Sequence, residues 1–182
     1  SKQYLDTVAM KANQDWLEIV TDEETEIIEN LLGTAFVVCQ THITLVVSSV
    51  KRLHKVFQKS EGRPLSGLEE SKDKIMRLGA TPMGTSAYTD IQVIDAFANY
   101  FKHLEEWPHD WTKLKRGLQQ KTGDIIVSAG ARSGSTGNLR TGAEVLGNSE
   151  YHQVEIFADR INSWHRKVRE EYEAQLKTEK VI

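Results

Sequence analysis

A histidine with polar neighbours at helical spacing is the first place in this sequence where chemistry can be expected. Asn99 and His103 are four residues apart and therefore share one face of a helix, while Glu106 lies one turn beyond His103. A carboxylate in that position can orient the imidazole ring. Lys102 adds a positive charge, and large aromatic residues surround the group. Such a face could bind or catalyse, although a histidine hydrogen-bonded within an amphipathic helix gives the same pattern.

The same segment carries a resemblance to known proteins. The string Ala-Asn-Tyr-Phe-Lys-His-x-x-Glu-Trp at 98–107 resembles a segment of small bacterial and phage-associated proteins, some of which look like HEPN-type helical domains. HEPN ribonucleases use an arginine, then four to six residues, then a histidine, typically in a dimer cleft. Arg160 and His165 have that spacing here.

This resemblance implies a ribonuclease that needs no metal. His165 would be the acid or base and Arg160 would stabilise phosphate charge, with Lys102 and His103 assisting. The chain departs from the family pattern at Ile161, because the family often has a polar residue directly after its arginine. The step of five residues from Arg160 to His165 also does not make ideal helical neighbours.

Charge is segregated along the chain. Ala12 to Val50 contains no Lys or Arg but carries seven carboxylates: Asp15, Glu18, Asp22, Glu23, Glu24, Glu26 and Glu29. Carboxylates at the start of a helix interact favourably with its dipole, which is one explanation. The other explanation is a docking face for a basic partner, with Asp22, Glu23, Glu26 and Glu29 as contact residues. A nucleic-acid-cleaving toxin would be such a partner.

Positive charge gathers later in the chain, in two groups. They are Lys102, Lys113, Lys115, Arg116 and Lys121, and then Arg160, Arg166, Lys167 and Arg169. Acidic residues dilute both groups, so a mixed surface is the simpler interpretation. The net charge of −3 also gives no overall footprint for a nucleic acid. An RNA contact would require the two groups to converge in the fold.

The glycine-rich segment 130–142 invites a phosphate-binding interpretation. Its backbone N–H groups, together with Arg132 and Arg140, could hold an anion before a helix that begins near Asn138. It lacks the Gly-Lys-Ser/Thr ending of a P-loop, so a mobile surface loop is the alternative. If the protein binds a basic partner, this loop is a second contact candidate.

Other kinds of site receive little support. No metal-ligand pattern and no cofactor fingerprint stands out, so neither is expected. The one cysteine, Cys39, lies on an apolar stripe where burial makes a thiol inert, and a single cysteine fits a reducing compartment such as the cytoplasm. The most apolar run, Leu31 to Val50, indicates a buried helix, and no membrane span is expected.

Apolar periodicity predicts an all-α fold, an irregular helical bundle with two long helices as its spine, in a single domain over residues 1–182. The predicted helices cover about 4–19, 22–59, 66–79, 89–107, 110–120 and 150–177, with another beginning near 138. Gly33 is the likeliest interruption of the long second helix, because glycine costs about 1 kcal/mol relative to alanine inside a helix.

Three functions follow from these observations. The first is a non-enzymatic protein-binding module, an immunity protein or antitoxin that neutralises a basic toxin by direct binding. The second is the HEPN-like ribonuclease. The third is a structural helical module whose exposed stripe pairs with a second copy of itself.

Overall fold

Helices joined by turns and loops make up the part of the chain that the structure describes. The structure, a computed structural model, describes residues 2–68, 70–84, 87–148 and 153–180, with side chains from Glu23 onward. The helices are α1 (Lys2–Glu61), α2 (Lys72–Arg77), α3 (Asp90–Lys102), α4 (Leu118–Ser128), α5 (Asn138–Val145) and α6 (Glu155–Thr178), with 3-10 turns at Leu104–Glu106 and Trp111–Lys113. Those ranges contain an isolated bridge between Pro82 and Thr89 but no strand, which confirms the all-α prediction.

Helix α1 is one continuous element where the sequence predicted two. Its 60 residues correspond to about 90 Å of helix. The break predicted between residues 19 and 22 is absent, and Gly33, the likeliest interruption of the second helix, does not interrupt it. A Cβ added at Gly33 would lie 2.3 Å from the Phe101 ring, so glycine stands there to let α3 approach α1 closely. The helix remains continuous because its apolar stripe stays buried from Leu32 to Phe57.

Helix α3 lies at the centre and contacts each of the other five helices. It begins where the sequence predicted, at a capping box in which Thr89 and Gln92 satisfy each other's backbone N–H groups. Every residue from Asp90 to Ala98 is buried. Phe97 stacks on Phe36 of α1 with ring centroids 5.3 Å apart, which fixes the two helices against each other.

The shorter elements differ from their predictions at several boundaries. The helix predicted at 66–79 forms only at Lys72–Arg77, and the one predicted at 110–120 is replaced by a 3-10 turn followed by α4. Gly117 separates these two with a φ of +96°, which ordinary side chains rarely adopt. Helix α4 also contains the apolar residues Ile125, Ile126 and Val127. Helix α5 begins at Asn138, as predicted.

Only one side of the helical run from Leu31 to Val50 faces the core. Leu32, Phe36 and Ile43 are fully buried, which confirms the prediction of a buried helix for that side. Between Glu23 and Glu61, an 18-residue window has a mean hydropathy of 1.7, and 44% of it is buried in the bundle. By length and composition this segment passes for a membrane span, a test that core helices also pass. The expectation of no such segment is therefore not confirmed.

Candidate functional site

A cleft of about 590 Å³ opens between α2, α3 and α4. Its apolar wall consists of Met76, Ala96, Trp107, Leu118 and Ile125. Its polar lining consists of Lys72, Asp73, Gln92, Asp95, Asn99, His103, Glu106, Lys115, Gln119, Lys121 and Thr122. The volume falls within the range of roughly 300–1,000 Å³ that is usual for small-molecule sites. Asn99, His103 and Glu106, the group singled out by spacing alone, thus line one cavity.

His103 and Glu106 form a hydrogen-bonded pair at the cleft. The Nδ1 atom of His103 lies 2.9 Å from Oε1 of Glu106, as the one-turn spacing predicted. This hydrogen bond, with a smaller contribution from nearby Lys115, lowers the pKa of the Glu106 carboxyl below its ordinary value. With Nδ1 engaged by a carboxylate, Nε2 is the ring nitrogen left for a ligand. The pair can therefore accept or donate a proton at one defined atom.

Asp95 is a buried carboxylate whose charge is compensated by Lys72. Nζ of Lys72 lies 2.8 Å from both of its oxygens, and Gln40 Nε2 donates to Oδ1 at 2.9 Å. The same Gln40 amide donates to Oδ1 of Asn99 at 2.9 Å. This network ties α1 and α2 to the cleft wall on α3. It fixes the position of the Asn99 side-chain amide, because the oxygen of that amide already accepts a hydrogen bond from Gln40.

Asp73 is the second carboxylate in the cleft and is also compensated. Burial alone would raise the pKa of its carboxyl, but hydrogen bonds from Lys121 and Arg77 outweigh burial and hold the pKa below its ordinary value. Nζ of Lys121 lies 2.9 Å from Asp73 Oδ1, and Gln92 Nε2 donates to the same oxygen at 3.0 Å. The contact between Lys121 and Asp73 joins α4 to α2 across the cleft. Both carboxylates, the buried Asp95 and the half-buried Asp73, are thus committed to internal contacts.

The predicted pair Arg160 and His165 lies outside this cleft, and its two members have separate surroundings. Arg160 donates from Nε to the Leu146 carbonyl at 2.9 Å, and its Nη1 lies 3.2 Å from Oδ2 of buried Asp90. His165 contacts His42 of α1, with 3.1 Å between Nδ1 and Nε2. Burial first, and then the charges of His42 and Arg169, lower the pKa of His165.

The two basic groups do not converge on the cleft. Lys115 and Lys121 line it, whereas Lys102 is exposed beside it, and no basic residue of α6 is among its lining. The condition set for an extended RNA contact is therefore not met at this cavity. A ligand with a single anionic group needs less positive charge than a nucleic-acid strand does.

The acidic segment divides into exposed residues and one internal residue. Glu23, Glu24 and Glu26 are exposed on α1, while the side chain of Asp22 lies outside the described part. Glu29 instead accepts hydrogen bonds from the backbone N–H groups of Leu139 and Arg140, at 3.0 and 2.9 Å. Glu29 is therefore committed to α5 and is not free to contact a partner.

The predicted anion site of the glycine-rich loop is thus filled by the chain itself. The Glu29 carboxylate occupies the start of α5, where the sequence placed a phosphate, and Nε of Arg140 lies 3.5 Å from it. The Asn138 side chain donates hydrogen bonds to the carbonyls of Arg132 and Ser135, which fixes the loop against α5. The Arg132 side chain is exposed on the loop, whereas Arg140 is half-buried in the first turn of α5.

Metal and thiol chemistry find no site among the described residues. No group of three or more His, Cys, Asp or Glu side chains there is placed to hold a metal ion. Burial raises the pKa of the Cys39 thiol to about 11, so the thiol is protonated at neutral pH. This matches the inert cysteine that its place on an apolar stripe predicted.

The comparisons with known proteins give no family. No protein-family model matches the chain, and neither a curated protein nor a solved structure matches it. The HEPN-like resemblance therefore stays a prediction.

Sequence patterns missed several polar residues of the cleft. Lys72, Asp73 and Asp95 come from two helices, and none stands at an informative spacing from His103. Lys121 was predicted only as a member of a basic group. Gln40 is a long polar side chain within the most apolar run of the chain. Buried polar groups need partners, so such a residue indicates a contact with another element.

Proposed function

We propose that this chain is a binding protein whose α2–α3–α4 cleft receives a small ligand with a planar apolar part and one anionic group. The observation that carries this proposal is that some charged residues of the cleft are paired with each other, while others remain beside its apolar wall. Asp73 and Asp95 are neutralised by their own lysines, while His103, Glu106 and Lys115 stand around an apolar wall. Pockets of this type use an apolar surface for affinity and a few polar groups for orientation.

The two halves of the proposed ligand follow from the lining. The indole of Trp107, with Leu118 and Ile125 near it, offers a surface on which a flat ring can lie. Lys115 supplies positive charge for an anionic group, and His103 can form a hydrogen bond to it. Amides from Asn99 and other lining residues can bond to polar atoms at the ring edge. Nucleoside monophosphates combine these features and are suitable probes.

The contribution of Lys115 gives the test of this proposal. We expect adenosine 5′-monophosphate to bind more tightly than adenosine, because Lys115 contacts the phosphate. Lys115→Ala should weaken binding of the monophosphate by about tenfold, equivalent to the loss of one ion pair of roughly 1.4 kcal/mol, and leave adenosine binding unchanged. Isothermal titration calorimetry measures both affinities.

A neighbouring lysine provides the matched control. Lys113 is exposed, lies outside the cleft and is only 3.7 Å from its own partner Asp110, so Lys113→Ala removes the same charge without touching the lining. It should leave both affinities unchanged. The proposal fails if none of the four ribonucleoside monophosphates binds, or if the two lysine variants behave alike.

A second candidate is the immunity protein or antitoxin, which uses a different surface. The specific observation in its favour is that Glu23, Glu24 and Glu26 are exposed beside the exposed apolar side chains of Ile27 and Leu31. An apolar patch with an acidic rim fits a basic protein partner, for which complementary charge accelerates association and excludes wrong partners. The partner would be a basic nuclease-type toxin, and the chain would act in the cytoplasm by covering it.

Charge reversal tests this second candidate. Replacing Asp22, Glu23 and Glu26 together by Lys should weaken binding to a basic partner by at least about tenfold and reduce the salt dependence of binding. The partner is a basic protein that co-purifies in equal amount and whose activity the chain suppresses. Asp159, Glu170 and Glu171, exposed on α6, replaced together by Lys, give the same change in net charge and should have little effect. Equal losses in both triple variants would contradict a contact at the acidic segment.

A further inference from the structure

We infer that α1 pairs with α1 of a second copy of this chain, antiparallel, through an exposed uncharged face. We call this face the α1 stripe; its apolar members are Ile27, Leu31, Val38, Leu45 and Val56. Each of these side chains is between 58 and 65% exposed. They lie on the side of α1 turned away from the buried residues Leu32, Phe36 and Ile43. The inference is independent of the cleft.

The spacing of the α1 stripe is that of a helix-pairing seam. Leu31, Val38 and Leu45 follow one another at seven-residue steps, the repeat that keeps one face against a partner helix when two helices coil around each other. No Asp, Glu, Lys or Arg occurs from Asn30 to Val50, about 30 Å of helix. A solvated helix face normally carries charges, so this face has the composition of a buried one.

Two threonine hydroxyl groups on the exposed side of α1 are already satisfied. Thr34 Oγ1 donates to the Asn30 carbonyl at 2.8 Å, and Thr41 Oγ1 donates to the Val37 carbonyl at 3.0 Å. Each hydroxyl proton is therefore used within α1 itself. A partner helix can cover both threonines without leaving a hydroxyl donor unbonded, which would otherwise oppose burial.

The charges at the two ends select a second copy as the partner. Continuing the seven-residue series outward gives Glu24 before Leu31 and Arg52 after Leu45, and both end residues are exposed. The series is acidic, three times apolar, then basic, and it is centred on Val38. An antiparallel copy with Val38 at the twofold axis places Glu24 opposite Arg52 of the second copy at both ends. A parallel copy would place like charges together.

Mass measurement on the whole chain tests the pairing. We expect sedimentation equilibrium to give about twice the 20.6 kDa monomer mass. Val38→Asp should yield monomer, because it places two carboxylates together at the axis. Val127→Asp, a like change at an exposed valine on α4, should leave the dimer intact. A monomer mass for the unmodified protein, or a dimer indifferent to Val38→Asp, overturns the inference.

Charge exchange and cross-linking test the antiparallel register. Glu24→Arg and Arg52→Glu should each weaken the dimer at least several-fold, and the two changes combined in one chain should restore it. In a Cys39→Ala background, Val38→Cys should form an interchain disulfide, whereas Leu31→Cys should form one only when mixed with Leu45→Cys. Cross-linking of Leu31→Cys with itself overturns the antiparallel arrangement.

Other occupants of the α1 stripe give distinct results. Circular dichroism is the control for folding. Each variant should remain folded, because the substituted side chains are exposed. A monomer that sediments with vesicles of phosphatidylcholine and phosphatidylglycerol, and loses this on Val38→Asp, assigns the stripe to a lipid surface instead. A monomer that forms an equimolar complex with a basic protein through Val38 assigns it to that protein. Either result overturns the inference of a second copy.

Discussion

Arg160→Ala is expected to lower the free energy of unfolding by about 2–4 kcal/mol, because removing one partner of a buried ion pair leaves the other charge uncompensated. Its partner Asp90 has only 4% of its side chain exposed. One Asp90 oxygen accepts hydrogen bonds from the backbone of Thr81 and Ile91, so Arg160 compensates the other oxygen. Urea denaturation followed by circular dichroism measures the loss.

A variant of a neighbouring arginine is the control that distinguishes loss of the contact with Asp90 from loss of a positive charge. Arg166 is exposed on the same helix, and Arg166→Ala should change stability by no more than about 0.5 kcal/mol. The double variant Asp90→Asn with Arg160→Met should recover part of the loss, because no buried charge then remains. An Arg160→Ala protein of unchanged stability would contradict a structural role. RNA cleavage in EDTA that a folded His165→Ala variant lacks would support the HEPN-like assignment instead.

Gly33→Ala is expected to destabilise the protein by about 1–3 kcal/mol, as overpacking of a core usually does. Helix propensity alone predicts the opposite sign, a gain of about 1 kcal/mol, since alanine replaces glycine inside α1. The added Cβ would lie 2.3–2.5 Å from three carbons of the Phe101 ring, including Cγ at the base of the ring. The ring cannot move away without moving α3, so the clash outweighs the propensity. Thermal unfolding decides the sign.

The adjacent exposed residue provides the reference for this change. Thr34→Ala alters the same turn of α1 without entering the core and should change stability by no more than about 0.5 kcal/mol. In a Phe101→Ala background, Gly33→Ala should lose most of its penalty, because the three ring carbons that the Cβ meets are then absent. Stabilisation by Gly33→Ala would show that propensity and not packing governs this position.

Local patterns predicted the features that depend on neighbours along the chain. The capping box at Thr89, the start of α5 at Asn138 and the contact between His103 and Glu106 all involve residues within one helical turn. Each follows from fixed helical geometry, so the residue types and their spacing suffice. The all-α class follows for the same reason, because apolar periodicity is a local property.

The features that sequence patterns missed depend on contacts between distant elements. Gly33 resembles a helix breaker until Phe101, 68 positions later, is seen to pack against it. Glu29 resembles a surface carboxylate until α5 is placed beside it. The lysines and aspartates of the cleft meet only because α2 and α4 both pack on α3. Periodicity shows which face of a helix is buried and not what it is buried against.

The contact between Glu29 and α5 has a consequence for anions in solution. A carboxylate attached to the same fold is present at its own site at an effective concentration on the order of millimolar or higher. Free phosphate or a phosphorylated metabolite must compete with it for the N–H groups of Leu139 and Arg140. While α1 is seated, the glycine-rich loop is closed to such ligands. Anion binding at the start of α5 therefore requires that Glu29 first leaves these N–H groups.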